Sequence, residues 1–400
     1  MKSSWSKGMS IICMAVIILS GCWDQKELNN IALVTSVGVD TAPEEDMHLF
    51  TFQILIPGQV TPTIGGGGGD QAPITIITQK GKTMSEAVRK AAQQTPGQLY
   101  FPHMQMVVFS DEVAKEGVKV FLDVFERDHE LRPLTTVFIT NGIAAKTVLS
   151  TLTPIEMKPS ESLLEKSEMS VKRGAFTARV DIDEIIKAVG TAGKDPFIGG
   201  VKVIGQPPED STTNIQQVEP KAVIIPDTIA VFQGDKLKGW LQEYSARGLL
   251  WVLGKVESTI VNVECEKKEE SINVEIIRSK SQVIPLLNKD QPEFTVKILA
   301  DANIGETECF INLADSNEID LIQEKVIKVV KKEAEVAISE VQKHQSDVLG
   351  LGAAIFQEDP EQWGYWEKDW DNHFSNAKVN VEAQIFIRQS GLRNKPLEIQ

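Results

Sequence analysis

Long apolar runs are scarce in this 400-residue chain. The longest uncharged, mostly apolar run is Met9 to Leu19 (MSIICMAVIIL), about eleven residues, whereas a helix that stays across a bilayer needs about twenty. No second such run follows, so the body of the chain is expected to hold no transmembrane helix. Basic charge is also in short supply: 41 Lys and Arg stand against 56 Asp and Glu, a formal charge of −15. A surface of that sign is repelled by nucleic acid and by anionic lipid, which excludes binding to either by charge alone. Histidine is rare, and His48, His103, His129, His344 and His373 have no H-x-x-x-H or C-x-x-C spacing that would put two metal ligands on one face. No G-x-S-x-G elbow occurs. Gly81-Lys82-Thr83 ends like a P-loop, but the G-x-x-x-x-G-K-[ST] spacing requires glycine at position 76 and finds Ile76. No catalytic, cofactor-binding or metal-ligating residue is singled out, and the chain is expected not to be an enzyme.

Cysteine is the next scarcity, with four in the chain. Lys2 and Lys7 precede the apolar run, and the small pair Ser20-Gly21 follows it, which is a signal-peptide layout for residues 1–21. Leu19-Ser20-Gly21-Cys22 is similar to the lipobox of bacterial lipoproteins. That similarity implies that the Cys22 thiol receives a diacylglyceryl group and becomes the first residue after cleavage; a plain signal peptide with an incidental cysteine is the alternative. Without Lys2 and Lys7, 39 basic groups face 56 acidic ones, a charge of −17, so electrostatics cannot hold the body on a membrane. Two acyl chains can, at about 0.8 kcal/mol per buried methylene. Cys13 leaves with the signal. Cys265 and Cys309 remain, compatible with a disulfide between two strands and equally with two buried free thiols.

Strand-like and helix-like segments alternate after the anchor. Ile31 to Asp40 and His48 to Ile56 read as strands. Gly65 to Gly69, five consecutive glycines, reads as a mobile loop. Pro73 to Thr78 resumes a strand, and Thr83-Met-Ser-Glu86 has the form of a capping box before a helix with Met84, Ala87, Val88 and Ala91 on one face. Met104 to Phe109 predicts a strand, Ser110 caps a helix whose apolar face is Val113, Val120 and Val124, Leu134 to Thr140 predicts another strand, and Asn141 opens a helix to about Ser150. This alternation argues for a sheet covered by helices. From Ile204 to Lys221 the chain turns polar and rich in Pro, Ser and Gln, a linker composition. Beyond it come a strand, Ala222 to Phe232, a turn at Gln233 to Lys236, and a helix, Leu241 to Leu253. Thr259 to Glu264, Ile272 to Arg278 and Phe294 to Ala300 form a meander. The clearest helix runs from near Asp315 to about Gln345, with Ile322, Val326, Val330, Ala334, Ala337 and Val341 on one face and Glu324, Lys325, Lys328, Lys331 and Lys332 on a solvated one. A short helix near Pro360 to Phe374 carries Trp363, Trp366 and Trp370 with Tyr365, expected to pack against the meander, the alternative being a stacking surface for a sugar, lipid or partner. A strand, Val379 to Arg388, ends the pattern.

The fold class expected is mixed α/β and multi-domain, central β-sheets flanked by α-helices: after a signal peptide at 1–21 come three domains, an N-terminal α/β domain at 22–203, a linker and small middle domain at 204–265, and a C-terminal α/β domain at 266–400.

Gly21-Cys22-Trp23-Asp24 with Glu27-Leu28, "LYFPHMQMVVFSDEVAKEG" (99–117), "AVFQGDKLKGW" (230–240), "QKHQSDVLGLG" (342–352) and "DPEQWGYWEKDW" (359–370) resemble the recurrent blocks of the Ger(x)C family, the lipoprotein C subunits of bacterial spore germinant receptors. The five-glycine loop departs from that pattern. The resemblance implies a three-domain mixed α/β fold, lipidation at Cys22, attachment to the outer face of the cell membrane (the spore inner membrane), and work beside an integral-membrane A subunit and a transporter-like B subunit. It implies no cofactor and no enzymatic activity. The part expected for this chain is scaffold or signal coupling in germination; the alternative is a transporter-type lipoprotein that captures a small nutrient.

Overall fold

The computed structural model describes residues 31–56, 72–128, 130–208, 211–265, 271–286, 291–309 and 311–389. The expected signal segment (1–21), Cys22, the expected loop at Gly65 to Gly69 and His129 lie outside the described residues.

Ten strands form the first sheet: β1 (Ile31–Thr41), β2 (His48–Leu55), β3 (Ile74–Gly81), β4 (Gln98–Tyr100), β5 (Met106–Phe109), β6 (Thr136–Thr140), β7 (Val180–Asp181), β8 (Phe197–Gly205), β9 (Ala222–Gln233) and β10 (Lys236–Gln242). Their order is β10-β9-β8-β6-β5-β1-β2-β3, with β4 beside β1 and β7 beside β6. The centre is parallel (β1, β5, β6, β8) and both flanks are antiparallel. Both faces of a parallel centre must be covered, and the sequence obliges. All four residues of β5 are buried: Met106 and Val108 pack on one face with Phe138, Leu149 and Leu163, while Val107 and Phe109 join the core on the other.

Helices α1 (Met84–Ala91), α2 (Asp111–Glu116), α3 (Lys119–Arg127), α4 (Ala145–Ser150), α5 (Pro159–Arg173) and α6 (Ile182–Gly190) cover those faces, and α7 (Thr212–Ile215) is one short turn. Thr83 caps α1 by accepting from Glu86 N at 3.2 Å, as its motif predicts, but the Glu86 carboxylate reaches back to Lys82 N at 2.9 Å and not to Thr83. The helix after Ser110 is not continuous. It breaks at Gly117, whose φ of +132° and contact with Asp235 suit only glycine. The break changes the phase, so Val120 is 71% exposed and the buried face is Val118, Phe121, Leu122 and Phe125. Likewise α4 begins four residues later than Asn141, because its start is set by the Asp40 carboxylate of β1, which accepts from Ala145 N at 2.6 Å and Lys146 N at 3.0 Å. No element is read from the sequence between 151 and 203, yet α5, β7, α6 and most of β8 lie there.

The polar stretch from Ile204 to Lys221, expected as a linker between folding units, joins two adjacent strands of one sheet. β8 and β9 pair antiparallel from Phe197↔Val231 to Gly205↔Ala222. Asn214, fully buried on α7, explains how a polar segment is held there: its amide donates to Leu152 O at 2.7 Å and Ala222 O at 2.9 Å and accepts from Ala222 N at 3.1 Å.

The second sheet, β11 (Thr259–Glu264), β12 (Ser271–Leu286), β13 (Glu293–Thr307) and β14 (Lys378–Gln389), is the expected meander with β14 added parallel to β13. Between the sheets lies α8 (Glu243–Val252), which follows β10 and so starts later than Leu241. Against it packs the 28-residue α9 (Ser316–Lys343), whose six predicted apolar positions are all buried. Three short helices follow: α10 (Leu351–Glu358), α11 (Pro360–Trp366) and α12 (Trp370–Ser375). Cys265 and Cys309 are joined as a disulfide, Cα atoms 6.2 Å apart, tying the end of β11 to the exit of β13. Among the described residues no helix is long and apolar enough to cross a membrane.

Candidate functional site

The four quoted blocks of the body meet in one continuous network where the sheets join. Asp235, in the turn between β9 and β10, accepts from Lys119 N at 3.2 Å through its carboxylate and from Val118 N at 2.9 Å through its carbonyl, which fastens the two residues that follow the first block to the second. Phe232 of the second block gives its carbonyl to the Ser346 hydroxyl of the third. Asp347 then collects the fourth. Its carboxylate accepts from Leu351 N at 2.9 Å, Gly352 N at 2.8 Å and Trp370 Nε1 at 2.9 Å.

Opposite Asp347 stands Asp195, from the loop before β8. Its Oδ1 accepts from Gly234 N at 2.7 Å and its Oδ2 from Asp347 N at 2.8 Å, while Asp195 N donates to Asp347 O at 2.9 Å. One loop of the first sheet is thereby stitched to the loop that leaves α9. Burial pushes the Asp347 carboxyl up to about 7, against the three N–H donors that favour its charged form. Asp195 is raised as well, chiefly by burial and further by the nearby Asp371 carboxylate.

Packing at the joint depends on two glycines. A Cβ on Gly193 would sit 2.6 Å from the Gly352 backbone and from Trp363, and one on Gly352 would meet Gly193, Trp363 and Trp370 at 2.6 to 2.8 Å. Trp363, Trp366 and Trp370 are buried, with the Trp363 and Trp370 rings 5.1 Å apart. Two of the three indoles thus line the glycine contact, a more specific seat than the meander face. Tyr365 is 71% exposed and stands apart from the buried stripe.

A second constellation lies on α8 and α9. Arg247 is 3% exposed and Glu333 5%. The guanidinium donates through Nε to Glu333 Oε2 at 2.9 Å and through Nη2 to Glu333 Oε1; Nη1 donates to Thr259 Oγ1 at 3.2 Å and Ile260 O at 2.9 Å. Trp251 Nε1 donates to the same carboxylate at 3.0 Å. A bidentate pair supported by three further hydrogen bonds is the form in which burial of two charges is tolerated. Gly248 lets the helices approach, since a Cβ there would lie 2.1 Å from Glu333 O.

Asp195, Arg247 and Glu333 are absent from the sequence expectations. Glu333 alone leaves a trace: it interrupts the apolar stripe of α9 between Val330 and Ala334. Cys22, the one predicted modification site, is outside the described residues. Among the described residues no group of three or more His, Cys, Asp or Glu is placed to hold a metal ion.

Comparison with known proteins matches this architecture along its length. The spore germination protein N-terminal domain profile matches residues 24–203, and the spore germination B3/GerAC-like C-terminal profile matches 227–391. Spore germination protein KC of Bacillus subtilis (strain 168) is 28% identical over 395 residues, 98% of this chain and 97% of that protein. Spore germination protein B3 of the same organism is 22% identical over 395 residues, 96% of this chain and 98% of that protein. The crystal structure of the GerBC protein shares the fold, with a TM-score of 0.55, 18% identity, and coverage of 91% of this chain and 99% of that one. With both halves matched and the full length covered, the chain belongs to the Ger(x)C family of spore germination proteins.

Proposed function

We propose that this chain is the lipid-anchored C subunit of a nutrient germinant receptor, held through Cys22 on the outer face of the spore inner membrane beside A and B subunits. Its work there is non-catalytic: it is a scaffold or signal-coupling subunit required for germination. The observation that carries the proposal is the joint. The family's blocks converge on contacts, buried around Asp347 and Trp370, that fix the two sheets to each other, which suits a body that transmits force or position. A solute-capturing lipoprotein would instead need a polar cleft between lobes that open and close. The relatives' names support a role in germination, and the lipobox at Cys22 supplies the attachment that a body of charge −17 lacks.

Two measurements test the proposal. In spores carrying Cys22→Ala, the protein is expected to leave the membrane fraction after a salt wash and germination to fail while the sibling subunits persist; quantitative retention in the membrane would refute the anchor. Micromolar binding corresponds to about 8 kcal/mol and raises the melting temperature visibly at excess ligand. A thermal-shift panel of amino acids, sugars and nucleosides on the body after Cys22 is therefore expected to be flat. A dose-dependent shift with one nutrient would replace scaffolding with solute capture.

A further inference from the structure

The buried Arg247–Glu333 pair forms the floor of an open groove of about 820 Å³ between α8, α9 and the free edge of β11. Its walls are Phe176, Tyr244, Ile260, Val329 and Val336, and Tyr244 and Ile260 are 62% and 48% exposed. Along one side stand Lys328 and Lys332, one helical turn apart on α9. Among the described residues neither lysine has a hydrogen-bond or ion-pair partner, in a chain with a charge of −15. Like charges at i and i+4 disfavour a helix, so this pair carries a cost that carboxylates from outside would remove.

The free edge of β11 does not suit an added strand. Its outward carbonyls at Ile260 and Glu264 already accept from Arg247 Nη1 at 2.9 Å and from Lys325 Nζ at 2.8 Å, which leaves an incoming strand without acceptors at alternate positions. A helix asks nothing of that edge. Val329 and Val336 are seven residues apart, about 10 Å along α9, the reach of i, i+3, i+4 and i+7 anchors on an amphipathic helix laid in a groove.

We infer that this groove docks an amphipathic helix of a partner protein whose apolar face fills the Phe176–Val336 trough and whose flanking Asp or Glu residues pair with Lys328 and Lys332. The inference rests on the scaffold reading and supplies its contact surface. In vitro, the probe is a fluorescein-labelled designed 18-residue helix with Leu at i, i+3, i+4 and i+7 and Glu on its flanks, measured by anisotropy against the full chain. The Glu peptide is expected to bind at least tenfold more tightly than the same peptide with Lys flanks, and Lys328→Glu/Lys332→Glu to abolish that preference while leaving the melting temperature within a few degrees. Equal binding of both peptides, or a preference untouched by charge reversal, would overturn the inference. In spores, a photo-crosslinking residue in place of Val336 is expected to attach to an acidic amphipathic segment of another protein, and to lose that product in the charge-reversed chain. Attachment to a second copy of this chain, or none, would also overturn it. Co-purification of the sibling subunits with the unmodified chain is read separately: if they co-purify and the crosslink fails, the groove is wrong and the scaffold stands, whereas their absence refutes the scaffold itself.

Discussion

Glu333 sits on the apolar face of α9, where a carboxylate is tolerated only because Arg247, Trp251 and the groups around them satisfy it. Removing one partner leaves a buried charge unpaired, so Glu333→Ala is expected to cost about 3–5 kcal/mol, read as the shift in a urea melt. The double variant Arg247→Met/Glu333→Leu should recover most of that loss; a double-variant cost equal to the sum of the two single-variant costs would mean the charges do not depend on each other. Asp347 makes a prediction with a sign. Its folded-state value of about 7 lies above the ordinary 3.8, so its contribution is fully present below about pH 4 and is lost as pH rises to about 7, on the order of 4 kcal/mol at most. Wild-type stability is therefore expected to fall between pH 5 and 8 more steeply than that of Asp347→Asn, even though the amide variant, lacking one acceptor for Gly352 N and Trp370 Nε1, is the less stable protein at pH 5. Parallel pH profiles would show that Asp347 titrates in its usual range. Neither residue was legible as a site in the sequence. A lone acid looks the same whether it faces water or a partner 86 positions away, as Glu333 and Arg247 are.

The elements were legible wherever the burial pattern is local. The apolar stripe of α9 and the alternation of β11 follow from their own periodicity. Reading failed where distant groups set the boundary: Asp40 fixes the start of α4, and contact with Asp235 favours the break at Gly117 that turned Val120 outward. Gly117→Ala should accordingly destabilise the protein by more than the roughly 1 kcal/mol that helix propensity alone would return, because its Cβ would meet the Asp235 carboxylate at 2.6 Å. A gain in melting temperature would mean α2 and α3 can fuse. The disulfide acts at the same scale. It closes a 44-residue separation, so Cys265→Ser/Cys309→Ser is expected to lower stability by about 2–4 kcal/mol under oxidising conditions and to leave the reduced protein unchanged.

At the scale of the whole molecule, composition gave the polar stretch after Ile204 the look of a boundary, and the two family profiles do leave out residues 204–226. Pairing of β8 with β9 across it, the buried Asn214, and the Asp195–Asp347 contacts nevertheless link the two parts. A single protease cut between 211 and 221 is thus expected to yield fragments that co-elute in gel filtration and separate only in denaturant; free fragments of native-like stability would favour independent units. Such a body fits the role proposed above, that of a subunit holding a fixed geometry between a membrane anchor and its neighbours. The most direct test is affinity isolation of this chain, tagged at its C-terminus, from detergent-solubilised spore membranes, with the other receptor subunits quantified by mass spectrometry. A and B subunits are expected in amounts comparable to the tagged chain, reduced together by Cys22→Ala; recovery of the chain alone from the solubilised membranes would refute the scaffold role.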